Sequence, residues 1–386
     1  MSRFFSWLNT SQELVSRYGG EEPFASYIKK HFAQHKKYGS KDRKIISQLC
    51  YGYFRLGNAF DNQPVEDRIL LGLFLCTNTS SDLLQEFRPS WNENISLTVS
   101  QKFAYLNAND EFQKVFPLHD ELSNAINREA YQYSMLEQPL LFLRVRPGKL
   151  RIVEQKLKQV NIQFDKIGDS CLVMVNSSNV DGIIKLNQEA VIQDLNSQKV
   201  LDILPEDFPG FNDLYVWDCC AASGGKSILL KDKVPAAQLT VSDIRVSILK
   251  NLQQRFRLAG IHSYQSFVAD LSSPTFSCDQ LFDLIICDAP CSGSGTWGRT
   301  PEQISFFNLE KINHYTHLQK NISLNASKSL KKGGFFLYIT CSVFEKENEG
   351  IVNYLLEKSS LQLVSYQYYT GFDKKADTLF AALFTL

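Results

Sequence analysis

Hydrophobic positions along this chain fall into three textures. Up to about residue 135 apolar side chains return at helical spacing and β-branched runs are rare. Ser40–Arg55 sets Ile45, Ile46, Leu49, Cys50 and Tyr53 on one stripe, with Arg43 and Lys44 toward water and Ser40 placed to cap the helix. Residues 69–75 are apolar throughout and read as a buried helix. From about 136 the pattern changes. An apolar run ending at the Pro147-Gly148 turn reads as a strand, 150–160 as an amphipathic helix and 171–175 as a second strand, which together make a small α/β module. From about 206 strands and helices alternate. The strands are expected at 214–218, 239–243, 267–270, 284–288 and 335–340. Helices are expected at 245–258 and 345–358, and a closing antiparallel hairpin at Gln362–Tyr369 and 379–386. This rhythm predicts an α/β fold with a doubly wound, mostly parallel sheet.

At 386 residues the chain is too long for one ordinary domain. Three are expected: a helical domain at 1–135, a small α/β module at 136–205, and the doubly wound domain at 206–386. Hydrophobic residues make up 44% and charged residues 21%, which excludes a disordered or collagen-like chain. Forty-one Lys and Arg balance forty-one Asp and Glu, so a uniformly basic nucleic-acid binder is not indicated. The longest apolar run, at 69–76, is far short of the roughly 20 residues that span a bilayer, and the first residues lack the pattern of a secretory signal. Nine cysteines without a regular framework or a CxxC pair point to reduced thiols in a cytoplasmic protein that holds no metal. The expectation is a monomer away from membranes.

Several expected strands end in aspartate. In an open α/β sheet ligands bind outside the carboxyl ends of the strands, so Asp218, Asp243, Asp270 and Asp288 would line one crevice. A helix cap or turn accounts for any one of them; four together are more specific. The first strand leads into Asp218-Cys-Cys-Ala-Ala-Ser-Gly-Gly-Lys-Ser227. Gly224 and Gly225 let backbone approach a ligand closely, and the helix behind them offers N–H donors. Cys220 stands where a P-loop needs glycine, and the spacing is not GxGxxG. Asp243 is placed to accept from ribose hydroxyls and Asp270 to lie near an adenine, so a nucleoside-bearing cofactor without a pyrophosphate fits best. The fourth strand ends Asp288-Ala-Pro-Cys-Ser-Gly-Ser-Gly295 and the fifth Thr340-Cys341-Ser342. If these strands are neighbours, Cys291 and Cys341 share one sheet edge beside Asp288. Thiols so placed suit addition to C6 of a pyrimidine, which makes C5 nucleophilic. A helix N-terminus or Lys226 can help a thiol ionise.

These residues resemble the RsmB/Nop2/Sun family of RNA cytosine-C5 methyltransferases, which use S-adenosylmethionine. The family's DxCAAPGGKT loop is matched by Asp218–Ser227 and its DAPCSGTG motif by Asp288–Gly295. Its TCS…ENE pair is matched by Thr340-Cys341-Ser342 and Glu347-Asn348-Glu349, and its QDxxS segment by Gln193-Asp194 and Ser197. More weakly, Gly39–Arg43 and Tyr51–Arg55 are similar to the NusB-like helical domain of the RsmB-type 16S rRNA enzymes, and Arg144-Val145-Arg146 to the opening of their RRM-like module. The resemblance implies a class I methyltransferase domain with Cys341 as nucleophile, Cys291 assisting product release, and Asp288 contacting the cytosine. It implies that Cys220, Ala221, Ala222, Ser223, Gly224, Gly225 and Lys226 hold the methionine part of the cofactor, with Asp243 on ribose and Asp270 near adenine, and that Lys226 helps polarise the site. Three departures stand out: Ser223 replaces the usual proline, Gly298 stands where arginine is common, and Cys219 doubles the usual single cysteine and reads as strand core.

The implied substrate is RNA, small-subunit 16S rRNA or an assembly intermediate of that subunit. The alternatives are a tRNA cytosine-C5 methyltransferase and a non-catalytic RNA-binding assembly factor; retention of both cysteines, Asp288 and the glycine pair argues against the last. Two basic clusters offer phosphate contacts. One holds Lys29, Lys30, Lys36, Lys37, Lys41, Arg43 and Lys44, the other Arg144, Arg146, Lys149, Arg151, Lys156 and Lys158, and Arg299 adds a single cation in the catalytic domain. His314 and His317 lack a metal-binding pattern and read as surface residues.

Overall fold

The computed structural model describes residues 3–206 and 214–386. The chain forms two units. One is helical and joins the residues up to Leu122, Ile126–Gln138 and Thr296–Asn308; the other holds Ser123–Ala125, Pro139–Gly295 and Leu309–Leu386.

The helical unit opens with α1 (Arg3–Arg17), α2 (Phe24–Gln34), α3 (Ser40–Arg55) and α4 (Val65–Cys76), and shorter helices follow to Met135. On α3 the buried stripe is Ile46, Leu49, Cys50 and Phe54, with Ile45 and Tyr53 half-buried at its margins. Ser40 is not the cap. Gly39 is, its N–H donating to Asp42 Oδ2 at 2.9 Å. A Cβ on Gly72 would meet the Gly52 backbone at 2.4 Å, so α3 and α4 pack main chain against main chain. Arg55 is buried at the end of α3. Its guanidinium donates to the carbonyls of Met135, Glu137 and Gly298 at 2.7–2.9 Å, the kind of full satisfaction a buried cation requires. Glu302 accepts from the Phe24 N–H, Phe306 meets Tyr18 edge-on, and Trp297 is buried 6.0 Å from Phe116. Residues 296–308, expected within the 206–386 domain, therefore belong to the helical unit.

In the second unit β1 (Leu141–Val145), β2 (Asp165–Ile167), β3 (Cys171–Met174) and β4 (Ala190–Ile192) form an antiparallel sheet in the order β2-β3-β1-β4, with the helix Leu150–Gln159 between β1 and β2. The seven-stranded sheet contains β5 (Tyr215–Asp218), β6 (Gln238–Asp243), β7 (Gln265–Val268), β8 (Phe282–Asp288), β9 (Leu330–Thr340), β10 (Gln362–Tyr369) and β11 (Leu379–Thr385), in the order β10-β11-β9-β8-β5-β6-β7. The strands β9, β8, β5, β6 and β7 run parallel, and the β10–β11 hairpin is antiparallel. This is the class I methyltransferase fold. Alternate residues of one strand enter different cores: Val216, Leu284 and Ile286 on one face, Trp217, Ile285 and Cys287 on the other. Burial of both faces explains why these strands read as unbroken apolar runs.

The boundary expected at 205 adjoins residues 207–213, which lie outside the described residues, and the two sheets belong to one unit. Arg144 and Arg146, expected to contact RNA phosphates, hold them together instead. Both guanidiniums pair with Asp232 on the helix Gly225–Lys233, that of Arg146 at 2.7 Å, and the Arg144 and Asp232 side chains are 5% and 7% exposed. Arg144 also donates to Gln193, and Arg146 to the carbonyls of Asn187 and Ala259. Of the two guanidiniums only Nη2 of Arg144 is left without a partner among the described residues, and it is buried. Among the described residues no helix is long and apolar enough to cross a membrane. Removing one partner of a buried ion pair strands the other charge. Asp232→Ala is therefore expected to lower the urea-unfolding free energy by about 3–5 kcal/mol; a loss below about 1 kcal/mol, the range of an exposed pair, would contradict this role.

Candidate active site

The strand order sets the site. With β5 between β8 and β6, the ends carrying Asp288, Asp218 and Asp243 are adjacent, and β9 brings Cys341 up on the far side of β8. The strand β7 stops at Val268, so Asp270 lies two residues past it rather than at its end. There its carboxylate accepts from the Ser272 N–H and hydroxyl. A cavity of about 520 Å³ opens over these ends. Cys220, Ala222, Asp243, Asp270, Asp288, Cys291 and Cys341 line it, as do Arg245 and Tyr315. Ala221 and Ser223 are not in the lining, and neither are Gly224, Gly225 and Lys226. Ala221 is buried in the core beneath the loop.

The loop after β5 is held in an unusual shape. Ala222 is left-handed at φ 46° and Gly224 at φ 81°, regions that L side chains rarely adopt. A Cβ on Gly224 would meet Phe256 at 2.6 Å, so glycine is required there. The Ala222 N–H donates to Asp243 Oδ2 at 3.1 Å, fastening the loop to the end of β6. Asp243 also accepts from the N–H and Nε of Arg245. Asp218 is buried. One carboxylate oxygen accepts from the Ser227 hydroxyl at 2.6 Å, and the other has no partner. Burial, then the nearby Asp288 charge, pushes its pKa up to about 7. Lys226 is ion-paired with Asp288. Burial alone would lower its pKa, but Asp288, with smaller help from Cys341 and Asp218, holds it above the usual lysine value.

The two thiols meet, with Cys291 Sγ 3.3 Å from Cys341 Sγ. The neighbouring Cys341 sulfur, then burial, pushes the Cys291 thiol well above its usual pKa. The turns that carry them are clamped by Glu347. Its buried carboxylate accepts from the Ser292 N–H (2.8 Å) and hydroxyl, from the Ser342 hydroxyl, and from Gln319 Nε2 (2.9 Å). Ser292 follows Cys291 and Ser342 follows Cys341, so one carboxylate holds both turns. Below them Gly295 donates to the Cys341 carbonyl at 2.9 Å; a Cβ there would strike the Thr378 carbonyl at 2.0 Å. The sequence drew attention to Glu347 only as part of a motif, and it did not single out Ser292, Gln319 or Tyr315.

The cavity suits a ligand with both a cation and a nucleoside. Asp288 offers negative charge at one end, and Asp243 offers a carboxylate to hydroxyls; Asp218, expected in the crevice, is buried beneath it and is not in the lining. Among the described residues no group of three or more His, Cys, Asp or Glu is placed to hold a metal ion; His314 and His317 are exposed. In the helical unit Lys36, Lys37, Lys41, Arg43 and Lys44 are all exposed. Arg43 and Lys44 border a shallow hollow of about 420 Å³ floored by Ile28 and Phe32. Arg299, in the same unit, is half-buried in the turn that follows Thr296.

Residues 209–379 match the family model for the 16S rRNA methyltransferase RsmB/F. Over this segment the chain is similar to that family, and it spans well under half the length of the curated relatives it matches. Ribosomal RNA small subunit methyltransferase B of Yersinia pestis is 33% identical over 172 residues, a match covering 43% of this chain and 38% of the relative. Among solved structures, that of PH0851 superposes over 98% of both chains with a TM-score of 0.74 at 18% identity. A methyltransferase homologue from Pyrococcus horikoshii covers 74% of this chain and 98% of its own, with a TM-score of 0.58 at 17% identity. Both likenesses concern the fold.

Asp218 should give the α/β unit a pH-dependent stability. Its folded pKa of about 7 lies above that of an unfolded aspartate. The stability it contributes is therefore full below about pH 4 and lost as pH rises through 7. Asp218→Asn should flatten the fall in urea-unfolding free energy between pH 5 and 8; an unchanged slope would show that another group carries it.

Proposed function

We propose that this chain methylates C5 of a cytosine in RNA, most specifically in small-subunit (16S) rRNA or an assembly intermediate of that subunit, through a transient bond between Cys341 and C6 of the base. The observation that carries the reading is the pair of thiols 3.3 Å apart beside the Lys226–Asp288 ion pair, over one cavity at the sheet edge. S-adenosylmethionine, the cofactor of this domain class, supplies an electrophilic methyl group on a cationic sulfur. The residues that would hold it are Cys220, Ala222, Asp243 and Asp270 in the cavity, with the loop to Lys226 behind them.

The chain's own groups divide the remaining work. Only an ionised thiol attacks. Cys291 is held protonated by its sulfur neighbour and by burial, which favours Cys341 as the nucleophile. The Lys226 ammonium lies within electrostatic reach of Cys341. As the C6–S bond forms, the ring electrons move toward C5 and N3, and in this reading Asp288 contacts that edge of the base by accepting from its amino group. After C5 has taken the methyl group, its proton leaves to a base, the C6–S bond breaks, and Cys291 assists release of the product. A base in a duplex must leave its stack to reach this point, and RNA is most readily read in loops and single strands. The exposed cations Lys36 and Lys37 in the turn between α2 and α3, with Lys41, Arg43 and Lys44 on α3, supply sequence-independent phosphate contacts in this reading.

Bisulfite sequencing of rRNA from cells with and without the gene tests the substrate. One small-subunit cytosine should lose its mark, and no loss would reject rRNA. RNA containing 5-fluorocytosine, which cannot release its C5 substituent, tests the chemistry. Wild type and Cys291→Ala should trap it as an adduct and Cys341→Ala should not; on unmodified RNA Cys341→Ala should lose at least about a thousandfold in turnover, whereas Cys291→Ala should accumulate an adduct that the wild type releases. The reverse pattern would exchange the two roles.

A further inference from the structure

At one position the cofactor loop departs from the pattern it otherwise follows, and the structure has a specific partner there. Ser223 stands where proline is usual. A proline ring fixes φ covalently, and serine gives up that restraint. The loop can spare it least here, because the residues on either side, Ala222 and Gly224, are both left-handed. The Ser223 N–H donates to no group among the described residues, so the position does not need serine for its amide. It uses the hydroxyl. Arg255, on the helix Val246–Ala259, donates through Nη1 to Ser223 Oγ at 2.6 Å and to the Ser223 carbonyl at 2.8 Å. Proline has no such hydroxyl to offer.

The same guanidinium reaches elsewhere. Its Nε donates to Asn187 Oδ1 at 2.9 Å. Asn187 lies in the turn before β4, itself left-handed at φ 67°, and its carbonyl accepts from Arg146. The planar fork of an arginine fixes the relative directions of its donors. One side chain thus ties the loop after β5 to the small antiparallel sheet.

We propose that Arg255 is a positioning residue for the cofactor loop. It replaces, by hydrogen bonds to Ser223, the backbone restraint a proline would supply, and through Asn187 it makes cofactor affinity depend on the small sheet. The proposal rests on the reading of residues 220–226 as the S-adenosylmethionine loop.

Two measurements on the full chain test it: S-adenosylhomocysteine affinity by calorimetry, and amide hydrogen exchange at residues 220–226 without ligand. Arg255→Ala should weaken affinity about tenfold, as expected for losing well-made hydrogen bonds, and speed exchange in the loop. Asn187→Ala should produce a smaller loss in the same direction. In a Ser223→Pro background, where the ring restores the restraint, Arg255→Ala should cost about threefold or less. The same tenfold cost in both backgrounds, or unchanged loop exchange, overturns the proposal. A melting temperature that falls while affinity holds overturns it as well, since that is what a purely structural arginine would give. Should Arg255→Ala not fold, Ser223→Ala removes the hydroxyl alone; it should loosen the loop and weaken affinity about threefold, and no change overturns the proposal. If the wild-type chain fails to bind S-adenosylhomocysteine while Arg255→Ala still loosens the loop, the positioning role stands and the cofactor reading falls.

Discussion

Bringing two thiols to van der Waals distance requires their turns to be fixed more tightly than the strands alone can fix them. Cys291 leaves β8 and Cys341 leaves β9, and each sits on a turn whose backbone polar groups must find partners away from water. The Glu347 carboxylate supplies them, accepting from Ser292, Ser342 and Gln319 together. Burial pushes its pKa up, while the hydrogen bonds act in the opposite sense. Asn348 continues the lattice, accepting from the Thr340 hydroxyl and donating to the Ser342 carbonyl. The thiol pair is thus a product of a polar network, and the aliphatic core beneath it serves mainly to set the strand order.

Much of this could be read in the chain. An apolar run that stops at an aspartate is visible without a structure, and β5, β6 and β8 end at Asp218, Asp243 and Asp288 as expected. Where the pattern misled, the causes are specific. The ladder to β6 closes at Val268, so Asp270 falls in a turn. The strand β9 begins at Leu330, five residues early, because Lys331, Lys332 and two glycines hide its first half from any hydrophobic pattern.

Other features were illegible because the deciding partner is remote. An arginine facing water and one facing Asp232 look alike in sequence, and Asp232 is 88 residues from Arg144. Arg144 and Arg146 turned out to be internal cement, whereas Lys149, Arg151 and Lys158 of the same cluster are exposed. The cluster in the turn before α3 and on its first residues remained exposed, which leaves the neutral net charge compatible with a localised cationic surface. Arg55 and Gly298 are 243 residues apart, and nothing local marks either as belonging with the other.

That last pairing bears on how the molecule is made. The helical unit is discontinuous in chain order. Its ring cluster around Tyr18 and Phe54 is completed by Phe306, and its buried arginine by a carbonyl at 298. During synthesis from the N-terminus, the first 138 residues emerge long before these partners do. The contacts of Phe306 and Gly298 with the N-terminal helices can therefore form only after residues 139–295 of the α/β unit have been translated.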